Sequence, residues 1–408
     1  MNVHELYAST VGGTIELPVH HVRGGTSTGL VLWRGALPDD EALVEELLRH
    51  LMGVPLAGEA PGNRQITGLG RGQPTSNKVF LVEYDAQQRS LVSTLAQLAA
   101  DKSAIDWSVN CGNMSAALPL FAYDVGWLNG RDDGGEIVIR NTNTGTSMIG
   151  RLLFTDGRLE SETEIPGVMG RYPGVDLFLR DPAGAKTGHL FPTGSRIDRF
   201  GAIDVTCIDV AVPMVIARAS DFGKTGSESP RELDADAAFK AALRALWVEA
   251  GQRMRLTHRD GSLMSAQALA ASETVPKICI VSAPRADGHI ATRYFTPQSA
   301  HPSLAVSGGC ALAAACLIEE TVARQTSSLS ARLGAEVAEY RVAIENPAGV
   351  LETVIKAEQA GDAPLIAAAA YRRSAQILVR GKVPLYRASS ALAEALARKR
   401  ADAADRAA

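Results

Sequence analysis

The chain has 408 residues, 46% hydrophobic and 21% charged, which is enough apolar material for two globular cores. With 41 basic against 45 acidic residues its net charge is -4, so neither nucleic acid nor an anionic membrane is expected as a partner. The start, MNVHELYAST, lacks a basic segment leading into an apolar one, and no run approaches the roughly 20 apolar residues that span a bilayer, so a cytoplasmic location is expected.

In chain order, Ile15–Val22 and Leu30–Trp33 read as strands. The segment between them, RGGTSTG at 23–29, combines Arg23 with two adjacent glycines and small hydroxyl residues. That composition suits holding carboxylate oxygens and equally suits a tight turn. An amphipathic helix is expected at Asp40–Met52 and another at Arg231–Met254. Between Ala57 and Ser76 lie five glycines and two prolines, too many for a regular element; a mobile loop beside a site and a plain surface loop are both open readings. Further strands are expected at Val79–Tyr84, Ile137–Arg140, Val205–Val212, Ile278–Ser282 and Glu339–Ile344, with turns at Asp156-Gly157 and Asn346-Pro347. Ser389–Ala408 is Ala-rich and of mixed charge, a helical or frayed tail.

NCGNMSAALPLFAYDVG from Asn110 and VSGGCALAAACLIEE from Val306 resemble each other. In each, a small polar residue and a glycine open a helix that is apolar almost all round, and such a helix must be buried on every side. The economical architecture is α+β, with two similar domains, each a curled antiparallel sheet around a central buried helix, and both helix starts facing a shared cleft. The domain boundaries are set at 1–187, with 374–388 as a returning strand, and 188–373, ahead of the tail at 389–408.

Five cysteines, at 111, 207, 279, 310 and 316, form no CxxC pair, which argues against a disulfide framework or a zinc site. Cys111 falls at the expected helix N-cap, where unpaired N–H groups and the helix dipole favour an anion and should depress the thiol pKa. The N–H groups of Gly112 and Asn113 suit a carboxylate or enolate oxygen. The alternative is a buried structural cysteine. When the two helix starts are aligned, Ser307 stands where Cys111 does and Cys310 lies a turn inside, in the core. A symmetric two-thiol racemase is therefore disfavoured, and Lys78, at the head of a strand beside the glycine-rich loop, is the candidate second acid/base group. Its alternative is an edge or snorkelling lysine. Gly223-Lys224-Thr225 lacks the upstream glycine of a P-loop, and Gly68-Leu69-Gly70-Arg71-Gly72 lacks the dinucleotide spacing, so no nucleotide is expected. His20 and His21 are adjacent on a strand and point to opposite faces, so no metal is expected either.

Six ordered segments carry a resemblance to a known family: RGGTSTG at 23–29, TSNKVFLV at 75–82, NCGN at 110–113, NTNTG at 141–145, PKICIVSAP at 276–284 and TRYFTPQSAHPSLAVSG at 292–308. Together they resemble the PrpF-type isomerases, which include methylaconitate isomerase and 4-oxalomesaconate tautomerase and have the diaminopimelate-epimerase-like fold. The resemblance implies a cofactor-independent isomerase. It would transfer a proton across three carbons of a small unsaturated di- or tricarboxylate such as 4-oxalomesaconate or 2-methylaconitate, with Lys78 and Cys111 as the acid/base pair. Asn77 stands inserted before the lysine of the family's TSK motif. Arg23, Gly25, Thr26, Ser27, Ser76 and Arg293, the N–H groups of Gly112 and Asn113, and those of Ser307 and Gly308 would clamp the carboxylates, with His301 as a further candidate. A racemase of the same fold and a non-catalytic polycarboxylate-binding protein are the alternatives. A homodimer is compatible with the sequence and not specified by it.

Overall fold

The computed structural model describes residues 3–72, 74–129, 134–258, 260–272, 274–361 and 363–407. The chain divides into two compact units, Met1–Leu177 with Arg373–Ala408, and Phe178–Arg372. In the first unit, β1 (Thr14–Gly24) and β2 (Ser27–Trp33) form an antiparallel hairpin. β2 runs parallel to β3 (Lys78–Asp85), β3 antiparallel to β4 (Ser90–Leu98), β4 parallel to β5 (Glu136–Asn141), and β5 antiparallel to β6 (Ser147–Leu152).

The second unit repeats this alternation. The hairpin β7 (Ile203–Asp209) and β8 (Pro213–Arg218) is followed by β9 (Lys277–Ser282) parallel to β8, then by β10 (Ile290–Thr296) antiparallel to β9. β11 (Ala338–Asn346) runs parallel to β10, and β12 (Gly349–Ala360) antiparallel to β11. The long β13 (Ala363–Pro384) pairs with β12 through its first half and, after the chain returns to the first unit, with β1 through its second. The sheets are thus mixed, where the strand pattern leads one to expect antiparallel pairing alone. Each hairpin is reached through a crossover helix that restores the chain direction, and a crossover makes parallel neighbours.

These crossovers place the helices. Between β2 and β3 runs α1 (Glu41–Met52), capped by Asp40, whose carboxylate accepts from the Ala42 N–H at 2.8 Å. Its apolar stripe of Val44, Leu47, Leu48 and Leu51 meets the outer sheet face of Leu17, Val19, Leu30, Leu32, Val79 and Leu81. The crossover between β4 and β5 holds α2 (Gly112–Ser115) and α3 (Ala117–Asp124), which contact β1, β2 and β6 on the inner sheet face. Pro119 has no N–H for the Ser115 carbonyl, so the helical ladder lapses between the two. In the second unit α4 (Ala237–Arg253) fills the outer crossover, and α5 (Val306–Leu317) fills the central one, with every residue from Gly308 to Leu317 buried. Both apolar helices are therefore the cores of their units. The C-terminal α6 (Ser390–Ala407) adds Leu392 and Leu396 to the layer around α1.

Two expected elements are broken. The helix at 231–254 is interrupted at Asp236 (φ −84°, ψ 94°), which leaves helical geometry to cap α4 by accepting from the Phe239 N–H at 2.9 Å. The strand at 205–212 stops at Asp209, because the chain turns through Ala211 at φ 63° into β8. The Asp156-Gly157 turn has positive φ at both residues, 51° and 71°, and joins two short strands, as a type I′ turn requires. Among the described residues no helix is long and apolar enough to cross a membrane.

Candidate active site

The β1–β2 hairpin closes through Gly25 and Thr26, and Gly25 takes φ 53°. Side chains alternate across a strand, so Gly24, Ser27 and Gly29 face the central helix while Arg23 and Thr28 face away. The glycines on the inner face let backbone approach backbone. A Cβ on Gly24 would lie 2.6 Å from the Asn113 carbonyl oxygen, and one on Gly29 would lie 2.2 Å from the Lys78 carbonyl oxygen and 2.9 Å from Met114 Cε. The helix start that carries Cys111 is thereby pressed directly onto the hairpin.

Cys111 is the N-cap of α2 with extended geometry (φ −131°, ψ 99°). Its Sγ accepts from the Met114 N–H at 3.5 Å and lies 3.8 Å from Ser27 Oγ. The Asn110 side chain accepts from its N–H at 2.7 Å, and Ser115 donates twice to its carbonyl, from N–H and Oγ, each at 2.9 Å. The sulfur is half-buried, whereas Cys207, Cys279, Cys310 and Cys316 are buried outright. Burial pushes the pKa of Cys279 up to about 12 and raises that of Cys207 and Cys316 too, as expected for core thiols.

Lys78 opens β3 in parallel register with Gly29, so it shares with Ser27 the inner sheet face against which the Cys111 helix start packs. It is 7% exposed. Burial lowers its pKa below the ordinary lysine value, and a thiolate at Cys111 would pull it partly back up. The inserted Asn77 is itself buried: its Oδ1 accepts from the Arg71 N–H at 3.2 Å, and its carbonyl accepts from Gln97 Nε2 and the Leu98 N–H, both at 3.0 Å. Ser76 ends a 3-10 turn two residues before Lys78. The glycine-rich segment is pinned by its own amides. Asn63 Nδ2 donates to the carbonyls of Gly53 and Ala100, Gln65 Nε2 donates to that of Met52, and Gln65 Oε1 accepts from the Gly72 N–H, all at 2.7–2.9 Å. These bonds tie the described part of the segment, up to Gly72, to the end of α1 and to the Ala100 carbonyl.

Arg23 lies on the face of the hairpin away from Cys111. Its Nη1 donates to the Gly25 carbonyl at 2.9 Å and to Ser374 O and Oγ at 3.0 and 3.2 Å, and its guanidinium sits 4.6 Å from the Tyr172 ring centroid. It ties the hairpin tip to β13. The arginine that meets the NCGN segment is Arg373, whose Nε donates to Asn113 Oδ1 at 3.0 Å. The Asn113 Nδ2 in turn donates to Thr26 Oγ1 at 3.2 Å. Arg373 was not anticipated, although an arginine pair interrupting the alanine-rich run AAAAYRRSA was a usable signal. At the other end of the helix pair, Asp124 binds His20 Nε2 at 3.1 Å and Arg380 in bidentate fashion. His20 and His21 do point to opposite faces, His20 stacking edge-on against Phe121 in the core.

The remaining candidates belong to the second unit. Arg293 Nε donates to the Glu228 carbonyl at 2.6 Å and its Nη1 to Thr292 O at 2.9 Å. His301 Nδ1 accepts from the Ser303 N–H at 2.9 Å, its ring stands edge-on to Tyr294, and burial lowers its pKa, which favours the neutral form. Ser307 is the second residue of α5, whose N-cap is Ala305 with no side-chain cap bond, so it is not in the capping position that Cys111 holds. Gly308 packs against Tyr294: a Cβ there would lie 2.4 Å from the ring.

The family model described as PrpF protein matches residues 14–386. The Escherichia coli (strain K12) protein YbhH is 34% identical over 365 residues, 89% of this chain and 97% of its own. The 4-oxalomesaconate tautomerase of Pseudomonas putida (strain KT2440) is 34% identical over 349 residues, 85% of this chain and 91% of its own. Among solved structures, a methylitaconate-delta-isomerase superposes with a TM-score of 0.75 at 25% identity, covering 91% of this chain and 96% of that one.

Proposed function

Because the chain belongs to the PrpF family of isomerases and has its diaminopimelate-epimerase-like α+β fold, we propose that it relocates a double bond within a small unsaturated tricarboxylate such as 4-oxalomesaconate or 2-methylaconitate, with Cys111 and Lys78 as the acid/base pair. The observation that supports this reading is that a buried lysine, in register with Gly29, lies on the same inner face of the sheet that receives the helix start capped by the half-buried Cys111. Two relatives are named as a tautomerase and a delta-isomerase, words that describe moving a proton and a double bond within one molecule.

The chemistry needs no group transfer. One member of the pair removes a proton from a carbon activated by a carboxylate or keto group and an adjacent double bond, which leaves a delocalised dienolate. The other returns a proton two carbons away, and the double bond ends one position over, so substrate and product have the same composition. Burial suits Lys78 to this work, because lowering the pKa of its ammonium brings the exchange of its proton toward neutral pH. The Met114 N–H and Ser27 Oγ hold the sulfur through its cycle, and the Asn113 amide, fixed by Thr26, offers a preset dipole beside the developing enolate.

The test is an assay in deuterated buffer with 4-oxalomesaconate, 2-methylaconitate and aconitate, followed by ultraviolet absorbance and deuterium incorporation. The expected result is double-bond migration and exchange with one of them, lost in Cys111→Ser. No exchange with any, by protein that remains folded, would overturn the reading.

A further inference from the structure

Resting on that reading, we propose that Asn77 is a positioning residue for the proton-transfer lysine: its side chain ties the head of β3 to the glycine-rich segment and thereby holds Lys78 in the register that turns it to the inner sheet face. Lys78 is the first residue of β3 and stands opposite Gln97 of β4. The pairing runs one residue further back, because the Asn77 carbonyl accepts from the Leu98 N–H and from Gln97 Nε2, both at 3.0 Å. Backbone groups are alike at every residue, so this ladder does not by itself choose which side chain faces inward. A slip of one residue would turn Asn77 in and Lys78 out toward α1.

The side chain makes the choice. Neighbours on a strand point to opposite faces, and Asn77, 1% exposed, points outward with Val79 and Leu81. There its Oδ1 accepts from the Arg71 N–H at 3.2 Å, while its Nδ2 meets no partner, so the amide serves as an acceptor. The donor is held in place from behind: the Leu69 N–H donates to the Leu51 carbonyl at 2.8 Å and the Gly70 N–H to that of Met52 at 3.3 Å, which fastens the segment to the last turn of α1. Gly70 allows the approach, since a Cβ there would lie 2.6 Å from Asn77 Oδ1 and 1.9 Å from Gln65 Nε2. The outward position thus offers a backbone donor. An asparagine oxygen satisfies it; a lysine, which has only donors, cannot. Slippage would leave the Arg71 N–H without its acceptor and bury an ammonium beside it, so one amide both favours the working register and penalises the alternative.

The experiment follows the titration of Lys78 by NMR of protein carrying lysine isotope-labelled at Cε, with the resonance assigned by its loss in Lys78→Met, beside the isomerisation assay above. The variants are Asn77→Leu, which keeps the bulk and removes the acceptor, and Asn77→Ser, which keeps a side-chain oxygen and carries the comparison if the leucine variant does not fold. In wild type Lys78 should titrate below 10.5, and in Asn77→Leu closer to 10.5, as the lysine leaves its buried place. In the same variant kcat should fall about 10- to 100-fold while KM changes by less than about threefold, the signature of a misplaced reacting group, and Asn77→Ser should lose less. Wild-type titration and kcat in Asn77→Leu would overturn this inference and leave the isomerase reading standing. A merely structural Asn77 would lower thermal stability while Lys78 of the folded variant titrates as in wild type, which also overturns it. A folded wild type without turnover, in which the Lys78 titration still answers to Asn77→Leu, would overturn the isomerase reading and leave the control of Lys78 by Asn77 standing.

Discussion

The two central helices solve one packing problem in opposite ways. In the first unit the glycines that admit a close helix are on the strands, at Gly24 and Gly29; in the second they are on the helix, at Gly308 and Gly309. A helix received by strand glycines keeps its own side chains, and the first unit's helix start accordingly presents Cys111, Asn113 and Met114 to the hairpin. A helix that supplies the glycines has given those side chains up, and the strand fills the space with the Tyr294 ring. The caps differ in the same sense, sulfur at Cys111 and nothing at Ala305. The proposed acid/base pair thus lies in the unit whose sheet made the room.

The largest expected effect breaks that asymmetry at its reactive end. Cys111→Ser and Lys78→Met should each reduce isomerisation by about a thousandfold or more, as removal of an acid/base group typically does, whereas Cys310→Ser in the second helix should leave it unchanged. Lys78→Met should not cost stability. The Lys78 pKa is depressed in the fold, so the charged form is disfavoured there at neutral pH, and this penalty fades as pH rises through the folded pKa toward 10.5. Denaturant titration should find the variant at least as stable as wild type at pH 7, with its relative advantage shrinking in alkali.

The glycines give the next effect. Gly24→Ala drives a methyl into helix backbone and should cost about 3 kcal/mol together with most of the activity, because Cys111 moves with the helix. Gly309→Ala meets only the end of the Leu351 side chain at 2.9 Å, and the helix preference of alanine, about 1 kcal/mol, offsets the crowding. Equal losses in the two would remove the packing distinction.

Acid sharpens the comparison within the first unit. Burial, aided by the Arg71 charge, lowers the His21 pKa from 6.5 to about 4, so the unfolded chain binds a proton there before the fold does. Stability should fall as pH drops from about 6.5 to about 4, by up to about 3 kcal/mol from this group, and His21→Gln should flatten that part of the stability profile in urea titrations. The smallest effect is a repair: Ala305 already has N-cap geometry (φ −67°, ψ 144°), so Ala305→Ser should stabilise the second unit by about 1 kcal/mol.

Much of this was legible in the chain. Two helices apolar on all sides had to be core, and both are. Strand alternation separated His20 from His21, and a small residue followed by glycine at the head of an apolar helix marked Cys111 as a cap. The same rule of alternation, carried one hairpin further, places Arg23 and Cys111 on opposite faces, but this needs the register of β1 against β2 and β13, which no local pattern contains. The anchoring of the glycine-rich segment was illegible for a related reason: it comes from Asn63, Gln65 and Asn77 reaching carbonyls and N–H groups up to 37 residues away.

The sequence by itself determined which segments are buried and which residues are candidates for proton transfer, because hydrophobic periodicity and side-chain type are local properties. Only the tertiary structure decided which arginine stands with the thiol, that the sheets are mixed, and that the two helix starts are unlike. Each of those depends on register and on backbone-to-backbone distance between segments far apart in the chain, where a shift of one residue turns every side chain to the other face.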